Sequence, residues 1–143
     1  MLFNCYLRNS IAYVPTVGKR GGAYTDIEPV AVVALANTDG LRRALLEAIG
    51  RGNVAVPPLK GNRSLPVVLK YAGVNKWSTF AVNASSWSIK EKDGSFQIVG
   101  YRTHLEGYWV EDPSQKFEFP LGTAVSAVVD HLITILQNAA SEQ

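Results

Sequence analysis

Apolar and polar positions alternate most regularly between Trp87 and Val110, WSIKEKDGSFQIVGYRTHLEGYWV, and the start of that stretch predicts a β-hairpin. Asp93-Gly94 at its corner is the strongest short-range turn signal in the chain, because both residues tolerate the positive φ of a tight type I′ turn. Folding about this pair sets Ile89 opposite Ile98 and Trp87 opposite Gly100 on one face. The bare glycine leaves room for the indole to lie across the strand. Ser88, Lys90, Gln97 and Val99 fall on the other, mostly polar face, so the ribbon is half-buried and needs an apolar cover on its Ile/Trp side.

Upstream, Leu2 to Leu7 and Ile11 to Val17 are rich in aromatic and β-branched residues and predict two strands about a polar turn, Arg8-Asn9-Ser10. Gly18 to Gly22, with three glycines and two cations, is expected as an exposed, mobile loop. Ile27 to Leu35 is a continuous apolar run, expected as a strand buried on both faces in the middle of a sheet. Periodicity alone leaves a buried helix open there; β-branched content and Pro29 favour the strand. A helix follows, with Thr38 or Asp39 as its cap, Leu41, Leu45, Ala48 and Ile49 as its stripe, and Gly50 and Gly52 as its stop. Arg43 and Glu47 are placed for a helical ion pair on its wet side.

Val54 to Arg63 is a proline-rich, basic connection, either a surface crossing or a functional loop. Ser64 can cap a short helix with Pro66 in its first turn, ending near Tyr71 at Gly73, an extended strand being the competing reading. From Lys76 the period is two: Trp77, Thr79 and Ala81 alternate with Ser78, Phe80 and Val82, which predicts a strand. Tyr108 to Val110 and Lys116 to Phe119 read as two more strands, joined across Glu111-Asp112-Pro113-Ser114, and Pro120 and Gly122 end the sheet. Val125, Val128, Val129, Leu132, Ile135, Leu136 and Ala139 then form a helical stripe, with Asp130, Thr134, Gln137 and Asn138 outward. This last helix is the natural cover for Ile89, Ile98 and Trp87.

These elements predict a single α+β domain over residues 1–143. Its core is a mostly antiparallel, twisted sheet of about six or seven strands with two or three helices packed on it, including the C-terminal amphipathic helix. A length of 143 residues with 47% hydrophobic and 18% charged residues suits one globular core. The net charge of +2 gives no default reason for nucleic-acid binding. No apolar run approaches the ~18–20 residues that span a bilayer, so no membrane association is expected. MLFNCYLRNS lacks the pattern of a cleaved signal. The lone Cys5, between alternating apolar neighbours, reads as a buried strand thiol, consistent with a reducing cytoplasm.

Catalytic and cofactor patterns do not assemble. Cys5, His104 and His131 lie in three different elements without ligand spacing, so neither a metal nor any other cofactor is expected. Gly18 to Gly22 carries Lys19 and Arg20 but leads into a strand, not into the helix that a phosphate loop needs. If the segment is extended, His104 and Glu106 share a strand face with Arg102 and Tyr108. That set makes a metal-independent nuclease or phosphodiesterase the alternative function, with the ordinary solvated strand face as the plainer explanation. Adjacent Asp130 and His131 do not face each other on a helix. Lys70, Lys76, Trp77, Lys90, Lys92 and Arg102 are a thin version of an RNA-binding face, without a recognition string. Glu106-Gly107-Tyr108-Trp109-Val110-Glu111-Asp112 combines two large aromatics with three acids. It points to protein recognition, with Glu106, Tyr108, Trp109, Glu111 and Asp112 as the partner-binding residues. Trp109 is open to a second reading, as core.

Taken together, the order of elements and the style of stretches such as Lys76 to Val110 resemble the immunity proteins of bacterial contact-dependent growth-inhibition systems. The resemblance implies a small cytoplasmic α+β protein with no catalytic residues, which binds one cognate toxin domain and blocks its active site or substrate-docking surface. It lies in architecture, not in a motif, so no residue role is carried over. Inhibitors of nuclease toxins tend to be acidic, whereas this chain is slightly basic.

Overall fold

A computed structural model describes residues 1–57, 66–103 and 108–141. Its strands and helices run in the order β1 (Leu2–Arg8), β2 (Ile11–Arg20), β3 (Ala23–Ala34), α1 (Thr38–Arg51), α2 (Val67–Ala72), α3 (Trp77–Val82), β4 (Ala84–Lys92), β5 (Ser95–Thr103), β6 (Trp109–Glu118) and α4 (Val125–Ser141). The strands form one open sheet in the order β3-β2-β1-β4-β5-β6. Each neighbouring pair is antiparallel, so two three-stranded meanders are joined edge to edge through β1 and β4. The molecule is a single α+β domain, as the sequence predicts.

The β4–β5 hairpin forms in the expected register, with Trp87 opposite Gly100 and Ile89 opposite Ile98. Asp93 and Gly94 both take positive φ, 54° and 82°, the geometry whose twist matches that of the flanking strands. The same chemistry turns β1 into β2, where Asn9 and Ser10 have φ of 54° and 62°. Helices α1 and α4 cover the Ile/Trp face. Val128, Val129, Leu132, Ile133 and Leu136 of α4 meet Phe3, Cys5, Val14, Trp87, Ile89 and Ile98 of the sheet and Leu41, Leu45 and Ala48 of α1. Each large apolar side chain so buried contributes ~1.5–3 kcal/mol before its ordering entropy is set against it. Ile133 joins the stripe. Gln137, expected outside, instead bridges Leu35 O at 3.2 Å and Thr38 Oγ1 at 2.8 Å, tying α4 to the start of α1.

The opposite face carries a second, aromatic core of Tyr6, Tyr13, Val68, Leu69 and Phe80 under α2 and α3. Several local expectations change here. Residues 77–82 are a helix, not a strand: Trp77 and Phe80, three apart, stack at 5.3 Å and point together into this core, which the helical period allows and the strand period forbids. β3 is an edge strand, not a central one. Its apolar run is used on both faces, with Ala31 and Val33 against the first core and Val30 against the second, while Val32 remains 47% exposed.

The glycine loop is also shorter than expected. Lys19 and Arg20 remain in β2, paired with Tyr24 and Ala23, and only Gly21-Gly22 turns. Residues 109–118 form one strand, whose two ends pair with β5 while the middle bulges across Gly100. Asn37, rather than Thr38 or Asp39, caps α1 by accepting from Gly40 N at 3.0 Å. The ion pairs of α1 run through Arg42, to Asp39 at 3.2 Å and to Asp130 of α4 at 2.6 Å, in place of Arg43 with Glu47. Among the described residues, no helix is long and apolar enough to cross a membrane.

Candidate functional site

The acidic–aromatic stretch divides on folding. Tyr108 is 49% exposed. Trp109 is half-buried, stacked on Tyr6 at 5.8 Å and edge-on to Trp77 at 5.3 Å, with its indole N–H donating to Thr103 Oγ1 at 3.2 Å. Glu111 lies between two cations, 2.8 Å from Lys90 Nζ and 3.2 Å from Lys116 Nζ, and the Lys90 hydrogen bond above all holds its carboxyl below the usual range. Asp112 accepts from Ser114 N at 3.0 Å and Ser114 Oγ at 2.8 Å, closing a turn inside the β6 bulge and lowering its own pKa. Glu106 and His104 lie outside the described residues, so the proposed catalytic face is described only at exposed Arg102 and at Tyr108. Among the described residues, no three His, Cys, Asp or Glu side chains converge. Cys5 is fully buried, and burial pushes its thiol up to about 12.

A concave site appears elsewhere, on the aromatic face of the sheet. α2 and α3 are six residues each, too short to roof the whole surface of β1, β2 and β3. Where they stop, a groove of about 860 Å³ opens, lined by Asn4 and Tyr6 of β1, Tyr24 and Asp26 of β3, Lys70 of α2 and Trp77 of α3, with Arg20 also in its wall. Strand alternation explains the lining. Tyr6 and Asn4 are two apart, as are Tyr24 and Asp26, and each pair therefore faces the same side.

Asp26 is the most constrained group in this groove. Its Oδ2 accepts from Tyr6 Oη at 2.5 Å and its Oδ1 from Asn4 Nδ2 at 2.8 Å. Buried Ser88 donates to Asn4 Oδ1 at 2.7 Å, which fixes the amide with its NH2 toward the carboxylate. The network runs from β4 through β1 and passes over β2 to reach β3. Burial raises the Asp26 pKa, opposed by the hydrogen bonds from Tyr6 and Asn4, which favour the ionised form. Burial, and then the adjacent carboxylate, hold the Tyr6 phenol well above its usual range. Asp26 has no ion-pair partner among the described residues.

Among the described residues, the two cations that line the groove, Lys70 and Arg20, each have a partner. Glu28 accepts from Lys70 Nζ at 3.0 Å and from the Tyr71 hydroxyl, and these contacts lower its pKa. A β-bulge at Pro15/Thr16 breaks the register beside this residue. Arg20 Nε donates to Pro57 O at 2.9 Å. The sequence reading missed Asn4, Tyr6 and Asp26 because the network joins residues distant in the chain. Its one linear trace is Asn4, a polar residue set between apolar Phe3 and Cys5 in a strand.

No family model matches the chain, and no curated protein matches it. Among solved structures it is similar to a protein of unknown function, NMB0488, from Neisseria meningitidis. The TM-score is 0.63 at 11% identity, over 90% of this chain and 88% of that one. At that identity the likeness is one of fold.

Proposed function

We propose that the protein is a non-enzymatic binding module: an immunity protein that binds and neutralises one cognate toxin domain of a contact-dependent growth-inhibition system in the cytoplasm. The observation that supports this reading is that, among the described residues, α2 and α3 leave part of the sheet's aromatic face unroofed. The groove is lined by Tyr24 and Trp77, among others, and holds a carboxylate fixed by Asn4 and buried Tyr6. Tyrosine and tryptophan supply large contact areas at little entropic cost, and polar groups fixed before binding select among partners. The stretch from Tyr108 to Asp112 adjoins this surface, since Trp109 stacks on Tyr6. A partner seated on both would have its own active site or substrate-docking surface occluded.

The test is co-purification with the toxin domain encoded beside this gene, followed by titration into that toxin's activity assay. A stable complex that suppresses the activity supports the reading, and absence of any complex contradicts it. Charge reversal at Glu111→Lys/Asp112→Lys is expected to weaken the complex. Unchanged tight binding would remove those two residues from the interface.

A further inference from the structure

We propose that Asp26 is the socket for an arginine side chain that the partner protein inserts into the groove; the inference rests on the binding reading above. Asp26 is a fixed, half-buried negative charge without a cationic partner among the described residues. A carboxylate offers about four acceptor positions, two on each oxygen. Asn4 takes one on Oδ1 and Tyr6 takes one on Oδ2. By this count one position on each oxygen is left, and a guanidinium, with its N–H groups held in one plane, is the cation equipped to use both. A lysine ammonium makes a point contact and does not use that pairing. Trp77 lines the same groove and adds a π surface that attracts a guanidinium, while Tyr24, also in the lining, carries Lys19 Nζ 5.7 Å over its ring.

Among the described residues, the cations that line the groove do not fill the role. Lys70 is held by Glu28, and Arg20 Nε by the Pro57 carbonyl. The surrounding hydrogen bonds also keep Asp26 from turning to solvent. Asn4 is itself locked by Ser88, and Tyr6 is clamped among Trp77, Phe80 and Trp109. A fixed charge of this kind, unpaired among the described residues, destabilises the free protein slightly and gains a counter-charge on binding.

The experiment measures affinity of the full chain for the toxin domain, with Asp26→Asn and, as a control at an exposed acid of α1 on the opposite face, Glu47→Gln. Asp26→Asn retains shape and removes charge, and a thermal melt reports whether it folds. The expected result is a loss of roughly 30-fold or more for Asp26→Asn, with Glu47→Gln within about threefold of wild type. A single toxin Arg→Ala variant should reproduce that loss and show no further loss when combined with Asp26→Asn. Folded Asp26→Asn binding within about threefold of wild type would overturn the socket while leaving the binding reading intact. A wild-type chain that forms no complex would overturn both. Methylguanidinium serves as the free probe: if it alone saturates the groove as tightly as the toxin does, the site takes a small molecule and the partner-arginine proposal fails.

Discussion

Trp87 lies across Gly100. A Cβ built on that glycine would sit 2.8 Å from the indole Cζ3 and 2.8 Å from Gln115 Cβ on the far strand. Two neighbouring strands therefore close over one missing side chain, and the indole uses the space to reach the core beneath α4.

The first prediction follows from that contact. Gly100→Ala forces the indole and the β6 bulge to shift, at a cost of about 1–3 kcal/mol. Urea unfolding should show a lower midpoint at unchanged slope. An unaltered midpoint would mean that the indole moves aside freely.

Asp26 gives a prediction with a definite sign. Its folded-state pKa is raised, so the cost of burying the ionised form is absent below the unfolded value and develops as pH rises through the folded one. Asp26→Asn should therefore be at least as stable as wild type at neutral pH. Its advantage should disappear in acid. Melting temperatures measured across the carboxylate range check this, and a variant less stable at neutral pH than in acid, relative to wild type, would contradict it.

Glu111 has the opposite sign. Lys90 and Lys116 lower its pKa, so its contribution is present above the unfolded carboxylate value and is lost as pH falls through the folded one. The pairs are more than a third exposed, and after solvent screening Glu111→Gln should cost no more than about 1 kcal/mol at neutral pH. Paired denaturation curves at neutral and acid pH should converge at the acid end.

Cys5 should be inert while the chain is folded. Its thiol is pushed up to about 12 by burial, and the thiolate is the reactive form. A thiol reagent should label it only at the rate of unfolding, with full labelling in denaturant. Rapid labelling of the native chain would contradict its burial.

Much of the fold was legible because its strongest signals are local. A dipeptide restricted to positive φ sets the β4–β5 register, and seventeen residues of α4 contain enough turns to display a period. Trp77 to Val82 is too short for that: with apolar residues at 77, 80, 81 and 82, six residues satisfy both the strand and the helix pattern, and Tyr6 and Tyr13 across the chain decide between them. The place of β3 was misread because an apolar run on both faces reports two covered faces, which α1 and α2 supply even at a sheet edge. The groove lay beyond the sequence for a related reason. Asn4, Asp26 and Ser88 become neighbours only once β4, β1 and β3 are in one sheet.

The most direct test is a stoichiometric titration of the toxin domain's activity with the purified chain. A molecule that works by occlusion should abolish that activity at one equivalent, with no turnover and no added metal or nucleotide. Activity that persists at excess chain, or a catalytic amount of chain sufficing to destroy the toxin or its substrate, would contradict the account.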